Sequence, residues 1–411
     1  MARRTGRRSR LISALTGGDP VAYRDSLAAM LIAALASLVA GVTLAATTGT
    51  LEELPGLLLL VPAALAVKGN IFGALGSRLG TAIHAGSFRI TANADSVVGQ
   101  NTLAAMTLTL VISVALAVMA KGVAVAFDVS PTMSVADFIV VSTIGGILAS
   151  AVILVITLLL ADASVRYDLD LDNVVAPLVT ATGDLISLPA LVWAAELAGV
   201  DVVTPAIAWA LVAAAALSLV WTAVTRLDLA RAIIRESLPV LIVAGVLDLV
   251  AGITVEKRLD DFLAFPVLLV LLPGYLGTAG ALGGVLSSRL ATKLHLGLVR
   301  PGPVPRGAAG RDVAMVFALS VPVFAATGAV AELGGWLTGR ASPGLLDLLA
   351  VAVLGGLVAT AFVIIVAYYA TVVAHRFGLD PDTYGIPMVT SSLDFVGAFT
   401  LILAIVAVGV A

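Results

Sequence analysis

Hydrophobic residues run along this chain in long blocks, separated by short stretches that hold most of the charged residues. A helix that crosses a bilayer needs about 20 mostly apolar residues. By that measure the pattern predicts eleven membrane-spanning helices, at residues 26–48, 54–84, 98–126, 134–163, 172–199, 204–225, 235–255, 261–296, 311–337, 344–375 and 383–410. The second and eighth blocks are longer than an upright crossing needs, so tilt or a kink at Pro62 and Pro273 is expected there.

The composition agrees with a chain that lies in a membrane. Of its 411 residues 60% are hydrophobic and 12% are charged, whereas a soluble domain is about 25% charged. We therefore predict an all-α integral membrane protein whose surroundings are the lipid bilayer, with no nucleic-acid partner. The chain has no cysteine and only three histidines, which excludes a thiolate metal site and argues against zinc.

The second half of the sequence repeats the first at an offset of 210 or 211 residues. The segment Arg24-Asp-Ser-Leu27 aligns with Arg235-Glu-Ser-Leu238, and the glycine pair at 145–146 aligns with the pair at 355–356. We infer four parts: a basic N-terminal segment (1–22), a first five-helix repeat (23–200), a linking membrane helix (201–229) and a second five-helix repeat (230–411). Five is an odd number of crossings, so two directly joined repeats would have opposite orientations in the membrane. The linking helix adds one crossing, and the two repeats are therefore predicted to have the same orientation.

The distribution of basic residues predicts the orientation. With the N-terminus in the cytoplasm, eight arginines of the loops lie inside and only four basic residues lie outside, as the positive-inside rule requires. The expected location is the cell membrane, with several crossings, a cytoplasmic N-terminus and the C-terminus outside. No small-residue cleavage site follows the first apolar block, so the basic start is interpreted as a retained segment rather than a signal peptide.

Each repeat carries one aspartate inside an otherwise apolar helix, Asp184 and Asp394. A carboxylate at membrane depth is costly and indicates a functional site. Asp184 lies about 12 residues into its predicted helix, or about 18 Å, near the middle of a hydrocarbon core about 30 Å thick. Two aspartates at matched depth in parallel repeats would face each other across a two-fold axis. The alternative is a pair of buried aspartates that bond backbone groups or a neighbouring hydroxyl.

Further oxygen atoms lie on the same helix face as each aspartate. A threonine lies four residues before each aspartate, and a proline lies seven residues before it. Because proline has no N–H, the backbone carbonyl four residues before the proline loses its helical hydrogen-bond partner. An acidic residue precedes that carbonyl, and it either caps the helix or concentrates cations in a vestibule. Oxygen ligands suit Mg²⁺, Ca²⁺ or Mn²⁺. The predicted metal ligands are Asp184, Asp394, Thr180, Thr390, Asn173, Thr383, Asp172 and Asp382.

Two charged residues inside predicted spans break the symmetry of the repeats. Lys68 corresponds to Ala279, and Asp248 corresponds to Ser37. Either the two charges pair across the interface between repeats, or Lys68 extends to the membrane surface, or they take part in ion coupling.

The second and eighth spans also carry glycines at spacings of three and four, which predicts close helix approach rather than a phosphate loop. These glycines are Gly69, Gly73, Gly76, Gly277, Gly280 and Gly284.

Several of these motifs together resemble a known family. The stretch from Pro62 to Asn70, the Ser-Arg-Leu at 77–79, and the stretch from Asp170 to Asp184 are similar to solute carrier family 41. That family carries two copies of the membrane domain of the MgtE magnesium channel, and the second copy here departs from it in having Ala281 where the first has Asn70.

The resemblance implies that the transported ion is Mg²⁺, with other divalent cations as further candidates. It implies a pore between the two repeats and, by the aspartate of the fifth helix in MgtE, a role for Asp184 and Asp394 as ion ligands. Because the two repeats would replace a homodimer, a monomer is the expected assembly. The main alternative is a secondary exchanger that moves Mg²⁺ against Na⁺ or H⁺. An intramembrane aspartyl protease is disfavoured because neither aspartate follows Gly-x-Gly, so no enzymatic activity is expected.

Overall fold

The computed structural model of the protein describes residues 20–91, 93–167, 171–377 and 386–410, with side chains for all of these except 84, 167–181, 295 and 386. Helices make up nearly all of this part of the chain. They are α1 (Pro20–Ala46), α2 (Thr48–Glu53), α3 (Leu57–His84), α4 (Val97–Ala126), α5 (Val135–Tyr167), α6 (Leu171–Ala195), α7 (Val203–Val224), α8 (Asp228–Glu256), α9 (Leu259–Ala264), α10 (Val267–His295), α11 (Ala308–Thr338), α12 (Leu345–Phe377) and α13 (Ile386–Val408). The prediction of an all-α membrane protein is confirmed.

The helices α1–α6 and α8–α13 follow the same order and nearly the same lengths. The short helices α2 and α9 differ in number by 259 − 48 = 211 at their starts and by 264 − 53 = 211 at their ends. These two short helices are absent from the sequence prediction, because each adjoins a longer apolar block. Part of the excess length of the predicted span 261–296 is accounted for by α9, and Pro62 and Pro273 lie inside continuous helices.

Ten helices are long and apolar enough to cross a membrane, counted over the described residues. The predicted span 172–199 corresponds to α6, in which the described side chains give the shorter apolar stretch Thr182–Ala195. Its first half lies outside the described side chains, so the total of eleven stays a prediction.

The first helix of each repeat packs mainly against the other repeat. Helix α1 packs against α10 and α11, and within its own repeat against α6; helix α8 packs against α3 and α4, and within its own repeat against α13. Two corresponding glycines make these crossings close. A Cβ atom at Gly41 would lie 2.2 Å from the carbonyl oxygen of Val270, and one at Gly252 would lie 2.1 Å from that of Leu59. The two repeats therefore interlock through exchanged helices.

Helix α7, which joins the repeats, lies on the outside of the bundle. It packs against α4 and α5 and barely touches α8. Large apolar side chains such as Trp209 and Val224 are each 73% exposed, and in a membrane such a surface faces lipid. The linking helix therefore takes no part in the centre of the bundle.

Local sequence explains where two of the helices begin. Ser134 and Asp137 form a reciprocal cap at the start of α5, in which the Asp137 carboxylate accepts from the Ser134 N–H at 3.1 Å and the Ser134 hydroxyl accepts from the Asp137 N–H at 3.2 Å. Gly56 turns the chain into α3 with a φ of +94°, a conformation that favours glycine. Its N–H donates to Glu256 Oε1 at 2.8 Å, so a carboxylate of the second repeat stabilises the start of α3 in the first.

Candidate functional site

Asp184 lies on α6, where that helix meets α1 and α10. Its side chain is only 8% exposed, and its Oδ2 accepts a hydrogen bond from the Ser37 hydroxyl on α1 at 3.2 Å. A Cβ atom added at Gly277 on α10 would lie 3.5 Å from the same oxygen. The carboxylate of the first repeat is therefore held by a helix of its own repeat and approached by a helix of the other.

Asp394 lies on α13 at the corresponding position of the second repeat and is half-buried. Its carboxyl interacts electrostatically with the carboxyls of Asp184 and Asp248. The structure thus brings the two predicted aspartates into electrostatic reach of each other and adds a third, which the sequence analysis did not assign to this place.

Asp248 lies on α8 and is fully buried, and neither of its carboxylate oxygens has a hydrogen-bond partner in the part of the chain that the structure describes. Beside it is the Ser391 hydroxyl on α13, which is also fully buried and unpartnered. Of the three alternatives weighed for Asp248 and Lys68, an ion pair between the two is not observed. The signal that could have located Asp248 is its alignment with Ser37, because Ser37 contacts Asp184 and the repeat predicts the same contact around Asp394.

Thr390 is the one other predicted ligand whose side chain the structure describes. Its hydroxyl lies 3.2 Å from Asn70 Oδ1 on α3 and 3.1 Å from the Pro387 carbonyl oxygen. The contact with Asn70 joins the two repeats one turn before Asp394. The other predicted ligands lie outside the described side chains: Thr180, Asn173, Thr383, Asp172 and Asp382.

Lys68 lies in the interior of the first repeat and is 2% exposed. A Cβ atom at Gly146 would lie 3.2 Å from its Nζ and 2.6 Å from Ser113 Oγ, so the amine lies near α5 and α4 rather than at the membrane surface. It forms no ion pair with any residue that the structure describes.

The second repeat fills the corresponding space with aromatic rings. Phe324 takes the position of Ser113, since 324 − 113 = 211, and its ring centroid lies 5.0 Å from that of Tyr275. The Tyr275 hydroxyl is 3.0 Å from Thr400 Oγ1. At this position the first repeat therefore carries an amine and a serine hydroxyl, whereas the second carries two aromatic rings and a pair of hydroxyls.

Two matched polar contacts lie at the far ends of α3 and α10. Arg78 Nε donates to Asn101 Oδ1 at 2.8 Å, and Arg289 Nε donates to Asp312 Oδ1 at 2.9 Å. Lys293 adds a second ion pair to Asp312, at 2.5 Å. These residues tie α3 to α4 and α10 to α11 away from the aspartates.

The side chains beside the aspartates include the hydroxyls of Ser37 and Ser391 and the carboxyl of Asp248, all of which offer oxygen atoms. Within the described ranges no group of three or more His, Cys, Asp or Glu side chains is placed to hold a metal ion. A cation here would therefore take one or two carboxylates and complete its shell with hydroxyls and water, which is the habit of Mg²⁺.

Comparisons with known proteins agree with this chemistry. The sequence model of the MgtE family, described as divalent cation transporters, matches residues 61–194 and 272–404. The two matches together cover more than half of the chain, and their starts differ by 272 − 61 = 211 residues.

Curated relatives match over most of the chain. Solute carrier family 41 member 2 of Xenopus laevis is 25% identical over 392 residues, which are 86% of this chain and 65% of the relative. The Homo sapiens protein of the same name is 24% identical over 387 residues, 84% and 63% respectively. The chain spans just under two thirds of the length of these relatives, and no solved structure matches it.

Proposed function

Because the chain belongs to the MgtE family of divalent cation transporters, we propose that it carries Mg²⁺ across the cell membrane, through a passage between its two repeats, with Asp184 and Asp394 as ion ligands. The family consists of transporters and not of enzymes, so the protease alternative is dropped. The observation that carries the proposal is that two carboxylates at matched positions of the two repeats lie within electrostatic range of each other.

The packing of the helices supports a two-fold relation between the repeats. Each contact of α1 with α10 and α11 has a counterpart in a contact of α8 with α3 and α4. With eleven crossings the repeats lie parallel, about an axis along the membrane normal. The orientation follows from the loop charges, with the N-terminus in the cytoplasm and the C-terminus outside. Since the interlocked repeats supply both halves of the passage, one chain is sufficient for transport.

Glycines of α3 and α10 support the position of the passage. Gly73 and its counterpart Gly284 are half-buried, and a Cβ atom added at either, or at Gly280, would meet nothing within 4 Å. The prediction that these three glycines serve close helix approach is therefore wrong. They border open space, which is the expected surroundings of a hydrated ion on its way to the aspartates.

The chemistry of the site favours Mg²⁺ among the candidate ions. Mg²⁺ loses its water reluctantly and is typically bound through one or two carboxylates while it keeps several waters. The carboxylates of Asp184 and Asp394, with the hydroxyls of Ser37 and Thr390 near them, match that requirement. Soft metals are disfavoured because the chain has no thiolate.

The test is Mg²⁺ uptake into liposomes by the purified protein and by Asp184→Asn, Asp394→Asn and the double variant. Each single change is expected to reduce Mg²⁺ uptake and binding strongly, and the double change to add little further loss, because groups that share one ligand are not additive. Uptake near that of the unmodified protein in both single variants would refute the shared site.

The alternative mechanism is exchange of Mg²⁺ against Na⁺ or H⁺, and the buried charges of Lys68 and Asp248 favour it. Neither charge forms an ion pair within the described part of the protein, and such charges in membranes are typical of coupling sites. Uptake measured with and without a Na⁺ or pH gradient separates the two mechanisms: a channel conducts Mg²⁺ in either condition, whereas an exchanger requires the gradient.

A further inference from the structure

The aspartates between the repeats differ in the side chain that each one faces. On the first side Asp184 accepts a hydrogen bond from the hydroxyl of Ser37. On the second side Asp394 interacts with the carboxyl of Asp248, the counterpart of Ser37. The two halves of the site therefore have the same helices but different charges.

Asp248 is buried beside the Ser391 hydroxyl and the Asp394 carboxyl, and no basic side chain that the structure describes pairs with it. Among the described residues neither of its oxygens nor the neighbouring Ser391 hydroxyl has a hydrogen-bond partner within normal distance, and both residues are fully buried. An unpartnered carboxylate in a membrane interior is strongly unfavourable. A second carboxylate beside it adds electrostatic repulsion. A cation bound between the two carboxylates would attract both and offset that repulsion.

The charges near the site agree with a divalent ion. Counted as ionised, Asp184, Asp394 and Asp248 carry three negative charges, and Lys68, the only buried lysine among the described residues, carries a single positive charge. One divalent cation balances the remaining two negative charges, whereas one monovalent cation does not.

We propose that the cation binds between Asp394 and Asp248, on the side of the second repeat, with Asp184 and Ser37 as the weaker half of the site. This inference rests on the proposed function and makes it more specific. The ion takes two carboxylates and the Ser391 hydroxyl there and keeps water on its remaining positions, in the manner of Mg²⁺. Asp184 acts on it mainly through its charge, so Asp394→Asn weakens Mg²⁺ binding more than Asp184→Asn does.

The repeat supplies a test in which the carboxylate changes sides. Asp248→Ser makes the second half of the site resemble the first, and Ser37→Asp makes the first half resemble the second. The first side has room for the added carboxylate, because Ser37 faces glycines there: Cβ atoms at Gly274 and Gly277 would lie 3.6 Å from its Cβ and 3.9 Å from its Oγ. The residues at the corresponding positions near Asp248 are alanines, Ala63 and Ala66.

Mg²⁺ binding to the detergent-purified full chain is measured by isothermal titration calorimetry. Asp248→Ser and Asp248→Asn are each expected to weaken binding by at least about 10- to 100-fold, since residues that only hold a metal's ligands already have effects of that size. The combined Ser37→Asp, Asp248→Ser variant is expected to recover most of that loss. Glu236→Gln, an exposed acid on the same helix, is the control for the loss of one charge and leaves binding unchanged.

Three outcomes would overturn the inference. Binding within twofold of the unmodified protein in Asp248→Asn shows that Asp248 is not a ligand and that the pair is held by a shared proton instead. If the Mg²⁺ affinity does not recover in the combined variant, the effect of Asp248 depends on its position in α8 and not on a carboxylate that either side of the site could supply. Unfolding of Asp248→Asn in a thermal melt, without a change of affinity in the folded fraction, assigns it a structural role. In all three cases a loss of uptake in Asp394→Asn keeps the proposed function intact.

Discussion

The crossings of the exchanged helices lead to a prediction that the repeat makes twice. Gly41 on α1 and Gly252 on α8 are counterparts, and an alanine at either would place its methyl carbon 2.2 or 2.1 Å from a backbone oxygen of the other repeat. Ordinary contact begins at about 3.4 Å, so the helices must separate by 3.4 − 2.2 = 1.2 Å or 3.4 − 2.1 = 1.3 Å. A backbone oxygen cannot rotate away, unlike the end of a side chain.

The magnitude follows from two opposing effects. A gap of 0.5–1 Å already removes a quarter to a half of the contact energy between packed atoms, and overpacking costs about 1–3 kcal/mol or more. Alanine is a better helix former than glycine by about 1 kcal/mol, which offsets part of the loss. We expect each variant to lose about 2 kcal/mol, with nearly equal values because the two crossings are equivalent.

The assay is unfolding of the purified protein in mixed micelles, followed by circular dichroism, for Gly41→Ala and Gly252→Ala. The matched controls are Gly73→Ala and Gly284→Ala, which also lie in helices but face open space. The controls are expected to be neutral or slightly stabilising. Equal stability of Gly41→Ala and Gly73→Ala would refute the close crossing, and a loss at only one of the two crossings would refute their equivalence.

Three further predictions concern contacts outside the aspartates, each measured by the same unfolding assay. Phe324→Ala opens a cavity in the second repeat and is expected to lower the free energy of unfolding by about 3 kcal/mol, the low end for buried aromatic residues, because helix association in lipid lacks the hydrophobic transfer term. An unchanged free energy of unfolding would show that the ring is not packed. Asp312→Asn leaves Arg289 and Lys293 without their carboxylate and is expected to lower the free energy of unfolding by about 2 kcal/mol. This is below the range for fully buried pairs because both cations are 23% exposed, and the loss should be smaller at high salt. Glu256→Gln keeps the oxygen that accepts from the Gly56 N–H but removes the charge at the start of α3, so it is expected to lower the free energy of unfolding by about 1 kcal/mol. An equal loss in Glu236→Gln would contradict this explanation.

The repeat in the sequence predicted much of the fold, because the same apolar blocks recur at one offset and each is long enough to be a helix. It could not predict that α1 packs against α10, since a hydrophobic block indicates burial in a membrane but not which helix it meets. The short helices α2 and α9 were hidden for a related reason: six residues are too few to show a periodicity beside a longer apolar run.

The candidate site was predicted in part. Asp184 and Asp394 were found from their depth and their equivalence, both of which are properties of the sequence. Asp248 was recognised as a charge without a counterpart, and a pair with Lys68 was one of three explanations left open. Opposite charges attract, and the sequence gives no distance to exclude such a pair. The structure separates them by placing Lys68 inside the first repeat and Asp248 beside Asp394.

The exchange of the first helices has a consequence for the order in which the protein is made. Between the end of α1 and the start of α10, the ribosome adds 267 − 46 = 221 residues, which takes about 11–44 s at the usual rate of about 5–20 residues per second. During that time α1 lies in the bilayer without its main packing surface. The first half of the gene, translated alone, would yield a bundle with α1 unattached on one side and an open groove over α3 and α4 where α8 belongs. Two halves made as separate chains should therefore find each other and assemble, as subunits do.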